Sequence, residues 1–279
     1  MFGRTGQIAA EVLRRAGEVE VEALDRAAAD FANPAACAAR VHATDADIIL
    51  NAAAYTAVDK AEADEASAAI VNGETPTAIA HAAAARDVPF LHVSTDYVFD
   101  GSGETPWKEQ DRPAPLGAYG WTKLAGETGV TAAGGPHAIL RTSWVFSAHG
   151  GNFVKTMLRL GAEKDALTIV DDQIGGPTAA GDIADALLTM ARAFHAGKGV
   201  SGVYHFAGRP AVSWRQFAET IFDAAGLSVD VTPIPTSDYP TPAQRPLNSR
   251  LDCARIAADY GVEQPDWRIN LKQVIGELT

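Results

Sequence analysis

The chain has 279 residues, 47% of them apolar and 21% charged, enough to bury a full core in one two-lobed unit or two smaller ones. Its formal net charge of −12 argues against a nucleic acid or an anionic membrane as partner, but a few local Arg or Lys residues suffice to hold an anionic small molecule. No apolar run is long enough to span a bilayer and the first residues do not read as a secretory leader, so a cytoplasmic protein is expected.

In chain order, the first element is "MFGRTGQIAAEVLRRAG" (1–17). Gly3-Arg4-Thr5-Gly6-Gln7-Ile8-Ala9 has the spacing G-x-x-G-x-x-[GA]: glycine lets the backbone approach a pyrophosphate, and the following helix presents free N–H groups and the positive end of its dipole. Ile8, Val12 and Leu13 give that helix an apolar face, and Gly17 marks its end. Only Met1 and Phe2 precede the turn, so the strand that should feed it reads as truncated. The expectation is that the chain starts late and that a short Val/Ile/Leu strand lies upstream.

"VEVEAL" (19–24) alternates at period two and is expected as a strand. Asp25 follows it, about 20 residues after the glycine turn, where an acid commonly binds ribose hydroxyls. Arg26 beside it suits a 2'-phosphate, which leaves NADH and NADPH both open. Asp30 and Phe31 have the chemistry to edge and stack on an adenine, or to sit in an exposed loop. Asn33 and Pro34 form an N-cap and N1 pair for the next helix. Cys37, like Cys253, lacks C-x-x-C spacing and is expected as a reduced buried thiol.

"DIILN" (47–51), "VPFLHVST" (88–95) and "HAILRTSWVF" (137–146) are apolar runs of the kind found in buried parallel strands, separated by helical stretches. This alternation predicts an α/β, doubly wound parallel sheet. Asn51-Ala52-Ala53-Ala54 and "STDYVF" stand at strand ends, the edge where such sheets hold ligands. Ser94 and Thr95 there suit a hydrogen bond to a substrate oxygen and tuning of a nearby phenol, or simply a cap, as does Asp96. Tyr119 and Lys123 in "YGWTK" are four apart and share a helix face. A phenol beside an ammonium becomes a proton donor and acceptor near neutrality; the plainer reading is an amphipathic surface pair.

Beyond about residue 147 the regularity weakens. "DIADALLTMARAF" (182–194) and "GVYHFAG" (202–208) read as a helix and strand returning to the first sheet, and "VTPIPTSDYPTPAQRP" (231–246) as surface loops. The expected division is a dinucleotide-binding part, 1–146 with a returning segment 181–207, and a smaller substrate lobe, 147–180 and 208–279. Seven histidines include no paired ligand spacing, so no metal centre is expected.

The glycine turn, "NAAAYTAVDKAE", "STDYVF", "YGWTK", "RTSWVF", "DDQIGGPT" and "RPLNSRLD", in this order, resemble the dTDP-4-dehydrorhamnose reductase family of the extended short-chain dehydrogenase/reductases over essentially the whole chain. The resemblance implies a Rossmann-type fold with a smaller C-terminal substrate-binding lobe and NAD(P)H-dependent reduction of a nucleotide 4-keto sugar. It implies that Gly6, Gln7 and Ile8 contact the cofactor pyrophosphate, Asp30 and Phe31 the adenosine, and Ala54, Tyr55 and Thr56 the ribose and nicotinamide side. Tyr119 would donate the proton, with Lys123 orienting the ribose and lowering the phenol pKa and Thr95 tuning it. Thr95, Asp96 and Trp144 would line the sugar pocket, and Arg245, Asn248 and Arg250 are weaker candidates for the nucleotide end. Some relatives hold Mg²⁺ between carboxylates at a dimer contact; Glu11 and Glu277 match two such positions but Asp182 replaces a Glu, so surface acids are the preferred reading. A monomer or homodimer is expected. The alternatives are another nucleotide-sugar reductase, a 4-epimerase, or a non-catalytic NADP-binding regulatory subunit. A 4,6-dehydratase is disfavoured because Tyr97 follows Thr95-Asp96 where that chemistry needs a second acid.

Overall fold

A computed structural model of the chain describes residues 1–278. Its centre is a parallel sheet in the order Ile49–Asn51, Phe90–Thr95, His137–Thr142, Gly202–His205. Successive side chains of these strands point to opposite faces, as the pleat requires. Leu91 and Leu140 enter one core with Ile183, Leu187 and Tyr204, while Phe90 and Ile139 enter a second with Phe31, Val41 and Ile79. Helices Gln7–Arg15 and Ala180–His195 cover the first face; Pro34–Ala43, Thr75–Ala84 and Ala118–Ala132 cover the second. Both faces are therefore dry, which is why the strands read as continuous apolar runs.

Met1 to Gly3 occupy the place of the central strand. Phe2 bridges Asn51 on one side and Leu24 on the other, both parallel. Four backbone hydrogen bonds of 2.8–3.0 Å hold it: Phe2 N–H to Leu50, Ala52 N–H to Phe2, Gly3 N–H to Leu24 and Leu24 N–H to Met1. The expected strand 19–24 is reduced to the single bridge at Leu24, and Val19 and Val21 belong to no ladder. The chain leaves Phe2 toward Leu24 on one side and toward Asn51 on the other, so the sheet's topological switch point lies there.

Two further expectations need correction. The run 137–146 is not one strand: Thr142 ends the central strand, Trp144 adopts φ +49, and Val145–Phe146 pairs instead with Thr178–Ala179. The Pro-rich stretch from 231 is not all loop. Asp230–Ile234 forms a parallel pair with Ala166–Val170, and Pro233 is tolerated because a two-stranded pair has free edges. These strands, with Ile174–Gly175 between Asn248–Ser249 and Val212–Ser213, accompany helices Phe153–Glu163, Trp214–Ala225 and Trp267–Leu278. The helices close on Phe146, Val154, Phe217, Ile221, Trp267 and Leu271. The expected cap is present, Asn33 accepting from Ala36 N–H ahead of Pro34, and Ser213 with Gln216 adds a capping box not anticipated from sequence. Cys37 and Cys253 are free and buried. Among the described residues no helix is long and apolar enough to cross a membrane.

Candidate active site

A cleft of about 1050 Å³ opens along the carboxyl ends of the parallel strands, across the switch point. At one end Gly3 has φ +96, and a Cβ there would stand 3.2 Å from the Ala52 carbonyl carbon, so the turn depends on glycine. Gly6 is the N-cap of the first helix and no side chain caps it. The first-turn N–H groups therefore lack intrahelical partners and face a site suited to an anion. Gln7 Oε1 accepts from Ser147 Oγ and Asn152 Nδ2, which ties this turn to the segment after Phe146. This cradle fits the dinucleotide expected from sequence.

Asp25 and Asp30 line the same end. Asp25 Oδ1 accepts from Ala27 and Ala28 N–H and Asp30 Oδ1 from Ala32 N–H, so each carboxylate also closes a turn. Arg26 is 88% exposed, 3.6 Å from Asp30. Phe31 stands in a turn and lines the cleft, but it is buried and not exposed, its ring edge-on to Phe2 at 5.6 Å.

Midway along the cleft, helix Ala118–Ala132 carries Tyr119 and Lys123 to the strand ends. The helix lies close because a Cβ at Gly126 would run into the Asn72 carbonyl and one at Gly120 into that of Tyr97. Burial pushes the Tyr119 phenol up to about 12; Thr95 opposes the rise and the Asp96 charge adds to it. Lys123 is not among the groups that shift it here: the ammonium position is 2.8 Å from the Val93 carbonyl and 3.3 Å from His92 Nε2. Burial draws Lys123 itself down to about 8, against the pull of Glu127.

Ser94 is also corrected. Its Oγ donates to Glu127, which is buried and held by three bonds from Arg141, so it braces the strand end and is not left for a substrate. Thr95 Oγ1 donates to Asp96 Oδ1 and accepts from Tyr97 N–H. Asp96 Oδ2 and Thr142 Oγ1 are buried without a hydrogen-bond partner among the described residues, and both residues line the cleft. Burial lifts the Asp96 carboxyl to about 6.

The far wall is Trp144, stacked on Trp214 at 3.6 Å between ring centroids. Trp214, Thr142 and Asn72 escaped the sequence reading. Asn72 sits in the π-turn Ile70–Glu74 and holds Tyr55 N–H and carbonyl while donating to Thr122 Oγ1, locking the strand-end loop to the Tyr119 helix. Only the irregular turn marks it, and apolar periodicity does not reveal a π-turn. Ala54, Tyr55 and Thr56 line the cleft beside it, as do Ile8 and Lys123.

Arg245, Asn248 and Arg250 do not line the cleft. Arg245 is paired with Asp59 at 2.8 Å; Asn248 donates to the Thr105 carbonyl and accepts from Arg250, so all three fasten the Pro-rich segment. Glu11 is buried between Arg14 and Arg15, and Arg14 also reaches Glu277 at 3.3 Å. Asp182 accepts from Asn270. Among the described residues no group of three or more His, Cys, Asp or Glu side chains is placed to hold a metal.

A family described as RmlD substrate binding domain matches residues 1–279. A dTDP-4-dehydrorhamnose reductase of Burkholderia thailandensis is 44% identical, over 99% of this chain and 97% of that one. The protein of the same name from Sinorhizobium fredii is 42% identical, over 99% and 96%. The crystal structure of a dTDP-4-dehydrorhamnose reductase from Bacillus anthracis in complex with NADP superposes with a TM-score of 0.92 at 32% identity, covering 99% of this chain and 97% of that one.

Proposed function

Since the chain belongs to the RmlD substrate binding domain family, we propose that it is an NADPH-dependent oxidoreductase that reduces the 4-keto group of dTDP-4-dehydro-L-rhamnose to give dTDP-L-rhamnose. The observation that carries the reading is the single cleft. It joins a glycine-turn cradle to the Tyr119–Lys123 helix face and then to a wall with a free carboxylate oxygen and an indole pair. Relatives at 42–44% identity over nearly their whole length bear the reductase name.

A reduced nicotinamide, when bound, supplies the hydride. Gly6, Gln7 and Ile8 would hold its pyrophosphate through backbone N–H groups, Gly3 would let the turn approach it, and Ala54, Tyr55 and Thr56 would flank its ribose side. Tyr119 donates the proton to the developing alkoxide oxygen. A phenol held near 12 is protonated at neutral pH, the state a donor needs. Thr95 sits against Tyr119 and Asp96 and orients the phenol. Asp96 and Thr142 offer unpartnered oxygens to sugar hydroxyls, and Trp144 on Trp214 gives the ring an apolar floor. In this reading residues 1–146 with 181–207 serve the cofactor, and 147–180 with 208–279 serve the sugar nucleotide.

NADPH is preferred over NADH because Arg26, paired with Asp30 at 3.6 Å but 88% exposed, lines the same end of the cleft and suits a 2'-phosphate, while two backbone donors partly satisfy Asp25. The test is product identification with a panel of nucleotide 4-keto sugars and both coenzymes, repeated on Arg26→Ala. The expected result is dTDP-L-rhamnose from the named keto sugar, with Arg26→Ala raising KM for NADPH about tenfold and leaving that for NADH unchanged. Turnover confined to another sugar would overturn the substrate, and an unchanged KM for NADPH would overturn the role of Arg26.

A further inference from the structure

His92 lies in the centre of the sheet, fully buried, and nothing in the reaction above uses it. Its Nδ1 is 3.0 Å from Asn51 Nδ2 and its Nε2 is 3.3 Å from Lys123 Nζ. The Ala53 N–H can only donate, and it meets Asn51 at Oδ1, 2.9 Å away. This fixes the Asn51 amide with its NH₂ toward His92. A donor facing Nδ1 requires a lone pair there, so the neutral ring carries its proton on Nε2, aimed at Lys123. An ammonium has no lone pair to receive that proton; an amine has one. The other close partner of Lys123, the Val93 carbonyl, accepts from either form.

We propose that Asn51 and His92 form a buried tautomer lock acting on Lys123: His92 is a positioning residue that offers the neutral amine a hydrogen bond and the ammonium none. Its consequence for turnover rests on the reductase reading; the lock itself does not. The lock lets Lys123 exchange its proton in the working pH range. The charged groups around Lys123 are few. Glu127 lies one turn along its own helix and is neutralised by Arg141 from the next strand; Tyr119, a neutral phenol, lies one turn back, with Asp96 beyond it. Burial and the Lys123 charge both hold His92 well below its ordinary value, consistent with a ring that stays neutral.

The test begins with the ligand-free wild-type protein labelled with ¹⁵N at histidine and lysine. Nitrogen spectra recorded from about pH 6 to about pH 9.5 span the titration range of a buried lysine. The expected result is a His92 ring that remains the neutral Nε2–H tautomer throughout, while Lys123 Nζ titrates within the range. A His92 Nδ1–H tautomer, an imidazolium, or a Lys123 ammonium unchanged to the top of the range would overturn the lock. His92→Gln places a carbonyl oxygen where the Nε2 proton was. It should raise the Lys123 titration, and the alkaline limb of kcat/KM for the keto sugar, by about one pH unit, a tenfold change in proton affinity. An unmoved Lys123 titration in a folded His92→Gln protein contradicts the proposal. Absence of turnover in the wild type ends the reductase reading and leaves the tautomer result standing.

Discussion

Asp96 keeps a carboxylate at 3% exposure with one oxygen unpartnered, which is costly unless a ligand's hydroxyls meet it. Its folded-state pKa is raised to about 6 from 3.8, so the linked stability is fully present below about 4 and is lost as pH rises through about 6. Asp96→Asn, which keeps the shape without the charge, is expected to raise unfolding free energy at pH 8 by up to about 3 kcal/mol and to change little near pH 4. The same variant should raise KM for the sugar nucleotide. Denaturant unfolding at the two pH values, with steady-state kinetics, checks both; equal stability at pH 8 would show that the carboxylate is not strained by burial. Tyr119, Lys123, Thr95 and Asp96 were legible in the sequence because chemistry restricts the residue types at strand ends and along one helix face. The partners of Lys123 and Ser94 across elements were not, since His92 is brought to Lys123, and Glu127 with Arg141 to Ser94, only by sheet register and by the packing of the helix on the sheet.

At the scale of elements, the cofactor cradle hangs on Phe2. One residue supplies the bridge to Leu24 on one side and Asn51 on the other, is 2% exposed, and packs edge-on against Phe31 beneath one end of the cleft. Phe2→Ala is expected to cost about 3–5 kcal/mol of stability and to weaken NADPH binding as well, because the Gly3 turn loses its anchor. Thermal unfolding with and without NADPH measures this. A loss under about 1 kcal/mol with unchanged NADPH affinity would mean that the turn is held by its helix alone. The central strands and their helices were legible from apolar runs and caps, since burial on both faces writes itself into composition. The break at Ser143 and Trp144 was not. Val145 and Phe146 continue the apolar run while the backbone turns, and the cause is a long-range pairing with Thr178–Ala179 that no local pattern records. Arg245, Asn248 and Arg250 misled for a related reason: guanidinium groups suited to phosphate also suit the carboxylate and carbonyls of a neighbouring loop.

The molecule as a whole joins one sheet, dry on both faces, to an aromatic cluster formed by Phe146, Phe217 and Trp267, and the cleft opens at the carboxyl ends of the strands. One end of the cleft offers uncapped N–H groups, the middle a neutral phenol and the far end an indole pair, an order that matches a dinucleotide followed by a sugar. The net charge of −12 requires that anion recognition be local, a role the proposed function gives to the helix N-terminus and Arg26. The most direct test of the central claim measures NADPH oxidation with dTDP-4-dehydro-L-rhamnose by wild type and Tyr119→Phe, alongside NADPH affinity for each. The expected result is turnover by the wild type and a loss of about 10²–10⁴-fold in kcat for the variant at nearly unchanged NADPH affinity. NADPH binding without turnover in the wild type, or undiminished turnover by Tyr119→Phe, would contradict it.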